Sequence, residues 1–399
     1  MHQDVSIRPL RVCYFGTYRA DYSRNQIMIE GLRRNGIEVV ECHEPLWRGI
    51  EDRAQVASGG WMKPGFVIRV VCTCWRLLRT YCRQAGDYDV IVLGYPGQLD
   101  AYLARMLTWL RRKPLVLDVF MSLYLIASER GLTVRHPLTA RLLCWIEKTA
   151  YRLPDLLLQD TAEYMRWLGQ RFDVNPDRVR LVPTGADERT FHPLETAEKE
   201  ATEVATTKDG DRFRAVYHGT FIPNHGVEYI VEAARVLRDD PDICFELIGD
   251  GPTRERAMAL AQEYGLANVT FTGWVDKAML PRRIAEADVC LGVFGMTPQS
   301  LMTVQNKIYE ALAMRRPLIT GESPTVRTAL TDGEHVLLCR RQDPRSLAEA
   351  ILRLKGDPAL RARLARQGYE RYVQAFTTVA VGRQARMHLD SVVRQFSAR

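Results

Sequence analysis

No run of eighteen uncharged apolar residues occurs in this 399-residue chain, and its mean hydropathy is −0.21, so no membrane-spanning helix is expected. The opening residues Met1 to Pro9 hold no apolar core and no small-residue cleavage site, which argues against a secretory leader and makes the cytoplasm the expected compartment. Cys-x-x-Cys is absent, and nine cysteines, several inside apolar runs, are an odd number that suits reduced, buried thiols better than a disulfide framework. Cys42-His43 with Cys72-x-Cys74 matches no zinc spacing, so no metal is expected there. Neither Gly-x-Gly-x-x-Gly nor the Walker pattern is present, which disfavours NAD, FAD and P-loop chemistry. No nucleic-acid-binding motif accompanies the basic charge, so nucleic acid is not an expected partner.

Apolar residues make up 46% of the chain and charged residues 26%, ordinary globular usage for a length that suggests two or three domains. The formal charge of +7 is uneven. Residues 1–190 hold 27 Lys and Arg against 21 Asp and Glu, while the remainder is nearly balanced. An anionic membrane surface would therefore be met by the first half.

Short β-rich runs alternate with helical-period segments throughout, the pattern of βα units and parallel sheets. Six strands are expected at 11–15, 38–41, 89–93, 115–119, 155–159 and 180–182, and six more at 214–217, 244–248, 269–271, 289–293, 318–320 and 336–338. Between the series, 195–211 has almost no bulky apolar residue and reads as a linker or exposed loop. The expectation is an α/β chain of two Rossmann-like domains, 1–190 and 213–375, joined by a linker at 191–212. A helical tail, about 376–399, crosses back to the first domain. Both series open with a strand running into a glycine turn, Phe15-Gly16-Thr17 and His218-Gly219-Thr220, where backbone can approach a ligand at the carboxyl edge of a sheet.

Four ordered stretches carry a more specific signal: Val182-Pro-Thr-Gly-Ala-Asp187 with Phe191-His-Pro193; Tyr217-His-Gly-Thr-Phe-Ile-Pro-Asn-His-Gly-Val-Glu228; Leu247-Ile-Gly-Asp-Gly-Pro252 with Gly273-Trp-Val275; and Asn306-Lys-Ile-Tyr-Glu-Ala-Leu-Ala-Met314. In order and spacing they resemble the retaining family-4 glycosyltransferases of the GT-B fold, whose two domains face across a cleft. The match covers nearly all of the second half, and the first half mainly in layout.

The resemblance implies transfer of a sugar from a nucleoside diphosphate to a hydroxyl acceptor in glycolipid, polysaccharide or natural-product glycan synthesis. No cofactor or metal would be required, and the acceptor could be lipid-linked. A departing diphosphate needs donors aimed at its oxygens, which glycine-turn amides and helix N-termini supply. On this reading the donor is held by Gly16, Thr17, Gly219, Thr220, His225, Gly249, Gly251 and the helix opening at Thr303 and Val304. Lys307 adds a cation, and Trp274 and Val275 sit where the family holds the nucleobase. The last glutamate of the family's Glu-x7-Glu motif, which meets the ribose, falls on Glu310. The first falls on Met302, and the usual Arg and Lys fall on Thr220 and His225, marking a divergent subgroup. Asp118, in place of the family's histidine after the fourth strand, either orients a sugar or acceptor hydroxyl or caps a helix. Arg24 and Asn25, at the start of the first helix, are placed on the acceptor side.

Several features have plainer readings. Asp87-Tyr-Asp89 resembles a metal motif but leads directly into an apolar strand. Over 67–83 Arg69, Arg76, Arg79 and Arg83 share one arc opposite Val67, Val71, Cys74, Leu78 and Cys82, which fits a solvated surface helix and also membrane docking. The Trp274 ring fills a crevice or stacks on a base. His43 and His136 are read as structural. Two other functions fit the same residues: a nucleotide-sugar epimerase of this architecture, and a non-catalytic nucleotide-binding subunit suggested by Met302, Thr220 and His225.

Overall fold

The structure, a computed structural model, describes residues 8–46, 64–194 and 212–398. The chain divides into two units, Met1–Thr184 with Thr378–Arg399, and Gly185–Thr377.

The first unit is built on a six-stranded sheet: β1 (Arg11–Gly16), β2 (Glu38–His43), β3 (Val90–Leu93), β4 (Leu115–Asp118), β5 (Leu156–Gln159) and β6 (Val179–Leu181). They are all parallel, in the order β2-β1-β3-β4-β5-β6. β3, β4 and β5 are buried along their whole length, as continuous apolar strands covered on both faces must be. Every strand expected from the sequence forms, with ends shifted by one or two residues.

The expected tail is the single helix Thr378–Ser397, and a separate helix precedes it. Pro358–Ala375 belongs to the second unit, burying Leu360, Leu364 and Tyr372, and Thr378–Ser397 belongs to the first. The latter lies against the helix Ser23–Arg34 with Gly31 facing Gly382, so closely that a β-carbon on Gly382 would fall 2.1 Å from Gly31.

In the second unit β7 (Phe213–His218), β8 (Ile243–Ile248), β9 (Val269–Thr272), β10 (Val289–Leu291), β11 (Leu318–Gly321) and β12 (Leu337–Cys339) are again all parallel, in the order β12-β11-β10-β7-β8-β9. Strand order reverses at β1/β3 in one sheet and β7/β10 in the other, and ligands of open α/β sheets bind beyond the carboxyl ends at such points.

The change of unit comes at Gly185, earlier than the motif spacing places it. Ala186 donates its N–H to Phe376 (3.1 Å) and accepts from the Tyr372 hydroxyl (3.0 Å), and Phe191 is buried in the second unit's core. Most of the expected linker, 195–211, lies outside the described residues.

Two expectations need correction. The helix Pro64–Gln84 is turned relative to the expected face: it buries Thr73, Leu77 and Tyr81, a four-residue repeat, and leaves Val71 and Cys82 exposed. Nor are all the thiols buried, because Cys72 and Cys82 face solvent. Among the described residues no group of three His, Cys, Asp or Glu could hold a metal, and no helix is long and apolar enough to cross a membrane.

Candidate functional site

Three glycine turns in the second unit nest into one another because none carries a side chain. Gly219 directly follows β7 with φ +134°, and Gly249 directly follows β8 with the same φ. A β-carbon on Gly249 would fall 2.0 Å from the Gly219 carbonyl oxygen, and one on Gly251 would fall 2.6 Å from that of Phe221. The turns are laced by main-chain bonds from Gly219 to Ile248 and from Phe221 to Asp250, both 2.9 Å. Backbone amides thus crowd at the carboxyl end of β7, where only glycine fits.

Lys307 lies against this turn. Its Nζ is 3.1 Å, and its Cε 2.9 Å, from where a Gly219 β-carbon would project. It is 5% exposed, and burial drives its ammonium down to about 7 against an upward pull from Glu310. No carboxylate lies within 4.0 Å of it among the described residues. Its neighbours are the Tyr217 ring, 4.9 Å from Nζ to centroid, and His225.

His225 Nδ1 is 2.5 Å from the Thr220 carbonyl, which can only accept, so Nδ1 carries the proton. Its Nε2 is then left as an acceptor 3.4 Å from the Lys307 ammonium. Burial, then Lys307, hold the imidazole well below its ordinary value, so it is neutral. With His225 neutral, the positive charge here rests on Lys307. Two helices open beside this pair with no side-chain cap, Val227–Val236 after Gly226 and Asn306–Ala313 after Gln305, which leaves their positive ends open.

One turn along the 306–313 helix, Glu310 accepts a 2.8 Å hydrogen bond from His218 Nε2. His218 is 2% exposed and fixes one carboxylate oxygen, Oε2, leaving Oε1 for another partner. His218 was not singled out from the sequence, although its place as the last residue of β7, before the glycine turn, is a usable signal. Thr303 and Val304 are buried. The Thr303 hydroxyl donates to Gln299 (2.9 Å) and accepts from Gln305 (3.0 Å), fixing the approach to the helix. Trp274 is 70% exposed, so it does not fill a crevice, while Val275 packs on the core below.

In the first unit the expected site residues are engaged by partners within their own unit. A β-carbon on Gly16 would fall 2.5 Å from Asp100 Oδ2, and Asp100 takes both the Thr17 N–H (2.7 Å) and hydroxyl (3.1 Å). The Gly16-Thr17 turn is filled by a carboxylate of its own chain rather than left open for a diphosphate.

Arg24 and Asp118, expected at the acceptor and the chemistry, are both 0% exposed and close a bidentate pair, Nε to Oδ2 and Nη2 to Oδ1 at 2.9 Å each. Arg24 Nη1 also donates to Val182 and Pro183, both 2.7 Å. Asn25 is equally buried, donating to Arg19 and Tyr95 and accepting from Tyr14 and the Tyr95 N–H. These three residues brace the carboxyl edge from within and are closed off from solvent.

The sequence reading missed Asp160, the residue directly after β5. It is 8% exposed, and its carboxylate oxygens have no side-chain hydrogen-bond partner, only the nearby main-chain N–H groups of Asp160 and Thr161. Burial raises it to about 7, Arg24 opposing and Asp118 reinforcing the shift. Elsewhere Asp89 accepts from the Arg11 N–H (2.9 Å) and pairs with Arg8, and Asp87 pairs with Lys113 (3.6 Å), the strand-leading role of the plain reading.

Residues 212–357 match the family model "Glycosyl transferases group 1". The chain is 28% identical to alpha-D-kanosaminyltransferase of Streptomyces kanamyceticus, over 68% of this chain and 69% of that one. It is 26% identical to MMP alpha-(1->4)-mannosyltransferase of Mycolicibacterium hassiacum, over 77% and 72%. Among solved structures, sucrose-phosphate synthase of Thermosynechococcus elongatus superposes over 98% of this chain and 100% of its own (TM-score 0.72, 19% identity). HepE of Anabaena in complex with UDP does so over 96% and 100% (TM-score 0.69, 14% identity). The fold is that of GT-B proteins.

Proposed function

We propose that this chain is a glycosyltransferase of the group 1 type that transfers a sugar from a nucleotide sugar to a hydroxyl acceptor, with retention and without a metal. The observation that carries the proposal is Lys307: a buried ammonium with no carboxylate partner among the described residues, seated on a glycine turn between two uncapped helix N-termini. An ammonium so placed lacks a counter-charge, and the diphosphate of the donor is the anion of matching size and sign.

In this role Lys307, the Thr220 amide on the Gly219 turn and the 306–313 helix end take the charge that develops as the anomeric carbon–oxygen bond breaks. The acceptor oxygen forms the new bond, and its proton passes to the departing phosphate oxygen. Glu310, held by His218, accepts from a ribose hydroxyl. The exposed Trp274 ring and the backbone at Val275 receive the base. Asp160, buried and without a side-chain partner, is the first-unit residue suited to an acceptor hydroxyl. A lipid-linked acceptor is one member of this hydroxyl class.

Supporting retention are the four sequence stretches and their order; the anomeric coupling of the product by NMR tests it directly. Transfer that persists in a chelator tests the metal-free reading. Glu310→Ala lowers donor binding or turnover by about tenfold or more if the ribose role holds, and unchanged donor kinetics removes that role.

A further inference from the structure

We propose that the first unit carries a docking surface for an anionic lipid bilayer, formed by the helices Pro64–Gln84, Asp100–Arg111 and Pro137–Ala150.

The connections β2 to β3, β3 to β4 and β4 to β5 all step in one direction along the sheet, so right-handed crossovers put these three helices side by side on one face. Contacts agree with that layout. Tyr102 donates to the Ile146 carbonyl (2.9 Å), joining the second helix to the third. Arg111 donates to Gly86 (3.2 Å) with its guanidinium 5.9 Å from the Tyr81 ring, joining the second to the first.

The outer side of this layer is apolar. The first helix exposes Ile68, Val71 and Trp75 by more than 60% each, and the second exposes Trp109 (79%) and Leu110 (73%). Val134, Leu138 (76%) and Trp145 continue the surface on the third helix and the short helix Leu132–Arg135 before it. Monomeric proteins seldom leave a patch of this kind uncovered, and tryptophan is the side chain that settles at a membrane–water boundary.

Charge identifies the occupant. The 21-residue Pro64–Gln84 helix has no acidic residue, and the only acids on the other two, Asp100 and Glu147, are 5% and 0% exposed. Every exposed charge on the three helices is therefore positive. Arg79, Arg83, Arg112, Arg135 and Arg141 on and beside them have no carboxylate within 4.0 Å among the described residues. A second copy of this face would bring like charges together, whereas anionic headgroups around buried indoles satisfy both halves of the pattern.

Flotation with vesicles of phosphatidylcholine alone, and with about 30% phosphatidylglycerol, tests the assignment. The full chain is expected to float with the anionic vesicles, to shift its indole emission to the blue, and to release as salt rises. Trp109→Ser with Trp145→Ser is expected to weaken binding at least tenfold, and Arg79→Glu with Arg83→Glu about fivefold or more for each charge. Unchanged melting temperature and nucleoside diphosphate affinity show that these surface variants remain folded. Absence of flotation with anionic vesicles overturns the proposal. So does binding that the variants leave intact, or a dimer in sedimentation that the tryptophan variant dissolves while vesicles remain unbound.

Discussion

Lys307 Nζ stands 3.2 Å from His225 Nδ1, a ring nitrogen already committed to the Thr220 carbonyl, so the neutral imidazole leaves the ammonium's charge uncompensated. The site is unfavourable for the empty protein and favourable for an anion, which makes stability and binding move in opposite directions on substitution.

Lys307→Met is expected to raise the melting temperature while weakening nucleoside diphosphate binding about tenfold to a hundredfold, the range for a charge-assisted contact. The pH dependence follows from the same shift. The folded ammonium ionises near 7 against an ordinary 10.5, so across that interval the unfolded chain binds the extra proton and this residue's contribution to stability rises with pH. Denaturation of wild type and Lys307→Met at pH 7 and pH 9 checks the sign. The wild type should gain more on going to pH 9.

Asp160 gives the opposite trend. Its folded carboxyl titrates near 7 against an ordinary 3.8, so its contribution is present below about 4 and is lost as pH rises through 7. Asp160→Asn should therefore stabilise the protein at pH 8. It should raise the KM for the acceptor and leave the donor affinity unchanged. A stability gain with no change in acceptor KM would reduce Asp160 to a strained core residue.

The Arg24–Asp118 pair is predicted to be structural. Asp118→Ala strands a buried guanidinium and should cost about 3–5 kcal/mol in urea unfolding. Wild-type stability with a selective loss of turnover would return Asp118 to the chemistry.

Glycine geometry gives a third contrast. Gly249→Ala drives a β-carbon onto the backbone oxygen of Gly219 and should cost several kcal/mol or prevent folding. Gly273→Ala has no atom within 4 Å of its new carbon and should be close to neutral. Parallel melts of the two variants distinguish a required turn from a merely frequent glycine.

Strands were readable because apolar runs between helical segments report burial on both faces, a property local to each run. The glycine turns of the second unit, Lys307 and Glu310 were readable because they lie in ordered motifs with fixed spacing. The first unit was not, because its outcomes depend on partners remote in sequence. Asp100 reaches Gly16-Thr17 across 83 positions, and Arg24 finds Asp118 across 94. Each carboxylate consumes groups that look available in one dimension. Asp160 was missed for the converse reason: an acidic residue at a strand end is common, and only the absence of a side-chain partner sets it apart. The face of the 64–84 helix was misread because its apolar residues line two sides, and helical period alone does not say which side meets the sheet.

The most direct test is calorimetric titration of uridine, guanosine, adenosine and thymidine diphosphates into wild type and Lys307→Gln at pH 8, in two buffers of different ionisation enthalpy. The expected result is one preferred base bound by wild type with proton uptake as Lys307 becomes charged, and at least tenfold weaker binding without uptake in the variant. Equal affinity and equal proton uptake in the two proteins would contradict the assignment of the diphosphate to Lys307 and the Gly219 turn.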